Sequence, residues 1–336
     1  MTALTTPASE PEVAATDRPR KVTDYIAEAD KTLFSFEILP PKKGRSIETI
    51  FEGIEPLMEF KPPFINVTYH REEVIYKEQA NGMMERIKCR KRPGTIGICS
   101  SIKNRYGVDA VPHVICGDFT WHEIEDTLIE LNFLGLHNIL ALRGDPVKND
   151  PNPTLNQKGP QHATDLIEMA SNLNKGIYLD DDVDDPFPTD FCIGAAGYPE
   201  KHFESPNMDN DMAYLKRKVD LGAEFITTQM FFDNKKYFKF VDDCRKAGIN
   251  VPIIPGIKPL TTKKHLNILP KIFHLDMPDI LVKEVEKAKT KEAVKQVGVE
   301  WCTAQVKELV ERGAPSIHFY TMSRSASTFA VAKEIF

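Results

Sequence analysis

No uncharged apolar run in the sequence approaches the ~18 residues that a membrane-crossing helix needs. The first twenty residues are rich in Thr, Ala, Pro and Glu and lack the apolar core of a secretory leader. Cysteine is sparse: six residues, Cys89, Cys99, Cys116, Cys192, Cys244 and Cys302, with no C-x-x-C pair. That spacing argues against a disulfide framework or zinc knuckle and for reduced thiols in a cytoplasmic protein. Basic residues are in the minority, 43 Lys and Arg against 49 Asp and Glu, for a formal charge of −6. Such a balance does not advertise a nucleic-acid or anionic-membrane surface, so an anionic ligand needs a local basic site. There is no G-x-G-x-x-G after a strand, no Walker loop, no H-x-H in the first strand and no H-E-x-x-H. A nucleotide-binding Rossmann domain and a metal-hydrolase barrel both lose support, and no metal site is expected.

What is present is a regular alternation. Short apolar or β-branched runs occur at 33–39, 64–69, 111–116, 138–142, 191–198, 225–232, 253–259 and 316–321, separated by amphipathic stretches such as 121–134 and 212–221. Continuous apolar runs between helices predict a parallel sheet covered on both faces. Eight units predict a closed α/β structure, a single (β/α)8 TIM barrel, rather than an open doubly wound sheet, although periodicity alone leaves closure open. Residues 1–20 are expected to be a disordered tail and 21–336 the catalytic barrel. Residues 146–161 read as a loop. The acidic stretch 176–190 reads as a solvated insertion, and 261–312 is long enough to hold extra helices.

In such a barrel the chemistry sits where strands end. The first strand carries Glu37, a lone carboxylate in an apolar run. Burial would raise its pKa and suit it to general acid catalysis, or it pairs with a structural arginine. Thr68 and His113 can offer hydrogen bonds at the mouth, or His113 is a satisfied core residue. Arg143-Gly144-Asp145 ends the fourth strand; Gly144 allows a close ligand approach, and the alternative is an Arg–Asp pair closing the turn. Tyr198 offers a flat face behind small residues, and Gln229 offers an amide to a heterocycle edge. Lys258 is either a Schiff-base lysine or a solvent-seeking one. The Lys216-Arg217-Lys218 triplet either holds a diphosphate or is a solvated face.

Together Phe34-Ser35-Phe36-Glu37 with Pro40-Pro41, Ala141-Leu142-Arg143-Gly144-Asp145, Gly197-Tyr198-Pro199, Thr228-Gln229 with Phe231-Phe232, and His318-Phe319-Tyr320-Thr321 strongly resemble the methylenetetrahydrofolate reductase family. The motifs are collinear from about Lys31 to the C-terminus and look like the short bacterial type, catalytic barrel only. The resemblance implies flavin-dependent reduction of 5,10-methylenetetrahydrofolate to 5-methyltetrahydrofolate, with NADH or NADPH as co-substrate, ping-pong transfer through FAD, and supply of methyl groups for methionine synthesis. By position it implies Glu37 as general acid and Asp145 as a second catalytic carboxylate. Glu37, Asp145, Gln229 and Arg324 would contact folate. Thr68, His113, Arg143, Gly144, Asp145, His162, Ala163, Tyr198, His202, Asp211, Arg217 and Lys218 would bind FAD. His265 stands near a position that is a folate-binding Gln in some members, and Tyr214 replaces an Asn that touches FAD in some. A homo-oligomer is expected by the same resemblance. Two other readings compete: a Schiff-base lyase using Lys258, and a flavin or folate binder without turnover.

Overall fold

The computed structural model describes residues 18–145, 159–322 and 325–336. Most of the expected tail, most of the 146–161 loop, and Arg324 lie outside the described residues. In chain order the elements are α1 (Val22–Glu28), β1 (Leu33–Ile38), α2 (Glu48–Ile54), β2 (Phe64–Val67), β3 (Glu73–Glu78), β4 (Met84–Cys89), α3 (Thr95–Tyr106), β5 (Asp109–Ile115), α4 (Trp121–Phe133), β6 (Asn138–Leu142), α5 (Ala163–Leu173) and β7 (Cys192–Gly197). They continue with α6 (Met208–Asp220), β8 (Phe225–Thr228), α7 (Asn234–Lys246), β9 (Ile253–Ile254), β10 (Gly256–Ile257), α8 (His265–Phe273), α9 (Asp279–Lys287), α10 (Lys291–Glu311), β11 (Ser316–Tyr320) and α11 (Ser325–Ala332).

Nine strands form one parallel sheet in the order β10-β11-β1-β2-β5-β6-β7-β8-β9. Its two ends are halves of one stretch of chain. β8 pairs with β9 through Ile226 and Ile253, and β11 pairs with β10 through His318 and Gly256. Pro255 separates the halves; it has no N–H to give to a ladder, though its carbonyl accepts from His318 N at 3.0 Å. The ring therefore closes as the eight-stranded barrel expected from the alternation.

Each barrel strand is buried on both faces, which is why it reads as a continuous apolar run. On β1, Phe34, Phe36 and Ile38 pack outward with Ile50 and Ile54 of α2. Ser35 and Glu37 alternate to the inside. The barrel floor is apolar: Phe64, Val111, Leu140, Cys192, Phe225 and Ile254 pack with Val22 of α1. α1 thus closes the bottom. Asn138 fastens it, accepting from Val22 N at 2.8 Å and donating to the Arg20 carbonyl at 2.9 Å. The chain just before α1 is therefore docked at Arg20, inside the span expected to be a tail.

The 176–190 stretch is largely exposed, as the acidic run suggested. It is folded back on itself, with Tyr178 donating to the Phe187 carbonyl at 2.7 Å. The extra helices expected over 261–312 are α8, α9 and α10, which build a second apolar cluster with Met230, Phe232 and Leu260. One element was not anticipated. β3 and β4 form an antiparallel hairpin on the upper rim, with Asn81-Gly82 in the turn and Gly82 at φ +77°.

Candidate active site

The apolar floor gives way above to a polar interior built from five strands. Glu37 comes from β1, Asn66 from β2, His113 from β5, Lys258 from the end of β10, and His318 and Tyr320 from β11. All except Tyr320 are under 10% exposed. Glu37 Oε2 lies 3.5 Å from His113 Nε2. Burial pushes the Glu37 carboxyl up to about 8, with the Lys258 ammonium pulling the other way. Burial also takes His113 down to about 3, and the neighbouring His70 adds to that effect. At neutral pH this is a contact between an uncharged acid and an uncharged imidazole. No arginine among the described residues lies within ion-pair distance of Glu37, so its pairing with a structural arginine is not what the fold builds.

Lys258 does not reach for solvent. It is buried and donates to the Tyr320 carbonyl at 3.1 Å. Tyr320 itself reaches over the neighbouring strand β10 to donate to the Thr228 carbonyl at 2.6 Å. Gly256 makes that crossing possible: a Cβ there would stand 2.5 Å from the Tyr320 ring and 2.3 Å from the Thr228 oxygen. Thr321 Oγ1 donates to the Glu37 carbonyl at 2.6 Å, which fixes the end of β1. His318 bonds Ser35 Oγ through Nδ1 at 3.0 Å, while its buried Nε2 has no partner.

Above Glu37 and His113 opens a cavity of about 410 Å³. Its walls include His113, Arg143, Gly144, Asp145, Tyr198 and His202, six of the residues expected to hold FAD. Arg143 does not pair with Asp145. Its guanidinium takes both oxygens of Glu204, at 2.7 and 2.9 Å, so the reading of the tripeptide as a self-contained ion pair fails. Asp145 stays exposed on the cavity wall. Gly144 has φ +83°, and a Cβ would come within 2.9 Å of Arg71 Nη2. Tyr198 meets the His202 ring edge-on at 4.7 Å, and burial raises its hydroxyl to about 12.

The remaining expected residues fall into groups. Asp211 accepts from His202 N at 3.1 Å and Ser205 Oγ at 2.9 Å, so it shapes the loop carrying His202. Lys218 bonds the Ala196 carbonyl at 3.0 Å, and burial lowers it to about 8. His162 and Ala163 open α5, where His162 N donates to Asp165 at 3.0 Å. Gln229 is half-buried beside the mouth, its side-chain oxygen accepting from Met230 N at 2.9 Å. Arg217 and Tyr214 lie on the exposed face of α6. His265 accepts from Thr261 N at 3.4 Å. Arg324 lies outside the described residues.

Two residues carried no signal in the sequence, Arg71 on the cavity wall and Glu204 behind it as the partner of Arg143. Arg71 bridges Asp118 at 3.1 Å and the Arg143 carbonyl at 3.0 Å, holding the strand-end loops together. Glu204 sits in an irregular segment with no motif around it.

The site suits an anionic aromatic ligand such as a flavin with its phosphates. The Thr68 hydroxyl is buried without a partner, Tyr198 offers a flat ring, and the guanidinium of Arg143 stands on the wall. Among the described residues no group of three or more His, Cys, Asp or Glu could hold a metal. Fold and site together define an α/β-barrel protein with a buried, uncharged carboxyl beneath a polar mouth.

The chain belongs to the methylenetetrahydrofolate reductase family, whose model matches residues 21–335. It is 32% identical to the 5,10-methylenetetrahydrofolate reductase of Escherichia coli (strain K12), covering 88% of each chain. It is 31% identical to methylenetetrahydrofolate reductase (NADH) 1 of Arabidopsis thaliana, over 93% of this chain and 50% of that one. A probable methylenetetrahydrofolate reductase (NADPH) of Caenorhabditis elegans is 32% identical over 93% of this chain and 43% of its own. The chain thus spans about half the length of several curated relatives. Among solved structures, an uncharacterized protein from Clostridium thermocellum that binds two copies of 5-methyl-5,6,7,8-tetrahydrofolic acid aligns with a TM-score of 0.55. That alignment covers 92% of this chain and 97% of the other at 14% identity, a likeness of fold alone.

Proposed function

We propose that the protein reduces 5,10-methylenetetrahydrofolate to 5-methyltetrahydrofolate with FAD and NADH or NADPH, Glu37 acting as the general acid. The observation that carries this reading is Glu37 itself: a buried carboxyl below the mouth, held near 8 and so protonated at neutral pH. A group in that state can give a proton to N10 of the folate as the five-membered ring opens. The opened substrate is cationic, and the exposed Asp145 carboxylate on the wall would stabilise that charge. Gln229 would meet the pterin, and Arg324 would add a further folate contact. FAD, when bound, would supply the hydride-transfer chemistry that links the nicotinamide to the folate. Thr68, His113, Tyr198 and the Arg143 guanidinium would hold its ring and anionic parts, with Lys218, Asp211, His202, His162, Ala163 and Arg217 around them. We further assign residues 21–336 to one catalytic barrel in the cytoplasm, acting as a homo-oligomer in methyl-group supply for methionine. No helix of the described residues is long and apolar enough to cross a membrane.

The test is Glu37→Gln. The variant should bind FAD and oxidise NADH or NADPH with an artificial acceptor, yet lose folate reduction by about 10²- to 10⁴-fold. Normal folate turnover in that variant would remove Glu37 from the mechanism.

A further inference from the structure

Behind the strand that carries His113 lies a second cavity of about 320 Å³, outside the barrel between α3 and α4. Side chains alternate along β5, so His113 faces in towards Glu37 while Pro112 and Val114 face out into this space. Barrels usually fill the gap between successive helices with side chains at close-packed density. Here α4 packs on α5 but makes no comparable contact with α3. Ile96 of α3, Val114 of β5, and Ile124 and Leu131 of α4 wall the gap. Val114, Ile124 and Leu131 are all under 5% exposed, so the interior of the cavity is aliphatic.

The two ends of the cavity differ in charge. At the upper end Tyr69, which lines this cavity and the 410 Å³ one, meets Phe119 edge-on at 6.1 Å. Arg90 arrives there from the end of the β3–β4 hairpin. Its Nη2 donates to the Tyr69 hydroxyl at 3.4 Å, and its Nη1 lies 3.9 Å from where a Cβ on Gly94 would stand. Its ion pair with Glu72 is long, at 3.8 Å, and half-exposed. Gly94 precedes the 12-residue α3 and has no side chain to cap it. A guanidinium over an uncapped helix start favours a carboxylate. At the lower end stands the exposed Glu130, more than two turns below the start of α4. It would repel a second negative group on the same ligand.

Size narrows the choice further. From Ile124 to Leu131 α4 rises about 10 Å. Over that length 320 Å³ leaves a cross-section of roughly 30 Å², the width of a single hydrocarbon chain. At about 1.3 Å per carbon, roughly eight carbons span it.

We propose that this cavity binds a linear aliphatic monocarboxylate of about eight carbons, its carboxylate on Arg90 and the start of α3, its chain between Ile96, Val114, Ile124 and Leu131. The site shares none of these residues with the folate and flavin positions named above, so it stands or falls apart from the activity reading. Because β5 is the common wall, the bound chain packs on the strand that holds His113 against Glu37.

The test is calorimetric titration of the purified full chain with hexanoate, octanoate, decanoate, octanol, suberate and indole-3-acetate. Affinity should rise about fourfold per added methylene up to about eight carbons and then level off. Octanol and suberate should bind more weakly than octanoate. Arg90→Met should weaken octanoate about two- to fivefold and leave octanol unchanged. Thr127→Phe, at a half-buried position on the α4 wall, should abolish octanoate binding while flavin content and melting temperature stay those of the parent. Should that variant not fold, Ile96→Phe across the gap gives the same reading. The proposal is overturned if the parent does not bind octanoate, or if octanol or indole-3-acetate binds as tightly. Undiminished octanoate binding in the filled variant also overturns it, since the ligand then sits elsewhere.

Discussion

The pH dependence of folate reduction tests the central claim in the most quantitative way. An ordinary glutamate, at 4.5, is protonated about one part in 300 at pH 7; at about 8, Glu37 is protonated about nine parts in ten. Burial thus raises the acid form roughly 300-fold at neutral pH. The folate-reducing step should be flat below pH 7 and fall about tenfold per unit above 8, while NADH or NADPH oxidation with an artificial acceptor keeps its own profile. Removing the opposing cation with Lys258→Met should move the falling limb to higher pH. Stability is linked to the same proton. The folded state holds it more tightly than the unfolded chain, so the contribution is complete below 4.5 and is lost as pH rises through 8. The limit is about 5 kcal/mol, at about 1.4 kcal/mol per unit. Glu37→Gln should flatten that loss, as read by denaturant unfolding at pH 6 and 8. A parent folate rate that stays level to pH 9.5, or a limb that survives in Glu37→Gln, would refute the reasoning.

Other perturbations separate the parts of the site. Gly256→Ala places a methyl group 2.3 Å from the Thr228 oxygen, and should cost about 3 kcal/mol or prevent folding; a melting temperature within two degrees of the parent would contradict the crossing of Tyr320. His113 and His318 are both held down to about 3 by burial, so their contribution is present above 6.5 and lost as pH falls towards 3. Chemical denaturation should therefore show stability dropping from pH 6.5 downward by up to about 1.4 kcal/mol per unit for each, and less steeply in His318→Asn. Arg143→Ala removes the two-pronged contact with Glu204 and a cation from the cavity wall; flavin, followed by visible absorbance after dialysis, should be lost at least about tenfold faster.

The barrel was legible in the sequence because burial on both faces leaves a simple trace: eight apolar runs, each bounded by helix patterns. The hairpin of β3 and β4 was not, for the converse reason. Its outer face meets solvent, and Tyr76, Met83 and Met84 are exposed, so no clean alternation marks it; the Asn81-Gly82 pair was the available signal. The docking of Arg20 was hidden because it depends on Asn138, more than a hundred residues away, at the opposite end of a strand from the chemistry.

Within the site, legibility follows whether a residue's role is carried by its own environment or by a distant partner. Glu37 stood out because a carboxylate inside Phe34-Ser35-Phe36-Glu37-Ile38 costs too much to bury without purpose. Gly144 stood out as a place for close ligand approach, but its left-handed backbone and its packing against Arg71 and Ile115 are what require a residue without a side chain there. Arg143 could be flagged but not understood: its partner Glu204 lies 61 residues on, in a segment without periodicity, so the nearer Asp145 was the natural but wrong partner to consider. Lys258 was the hardest to read. A lysine at a strand end is compatible with solvent, with covalent chemistry or with a buried electrostatic role, and only the closure of β10 against β11 decides among surroundings. That closure puts its ammonium on the Tyr320 carbonyl, one strand away from Glu37, where it restrains how far burial can raise the acid. The proton affinity of Glu37 is thus set jointly by a feature visible in one strand and one that exists only once the ring has closed.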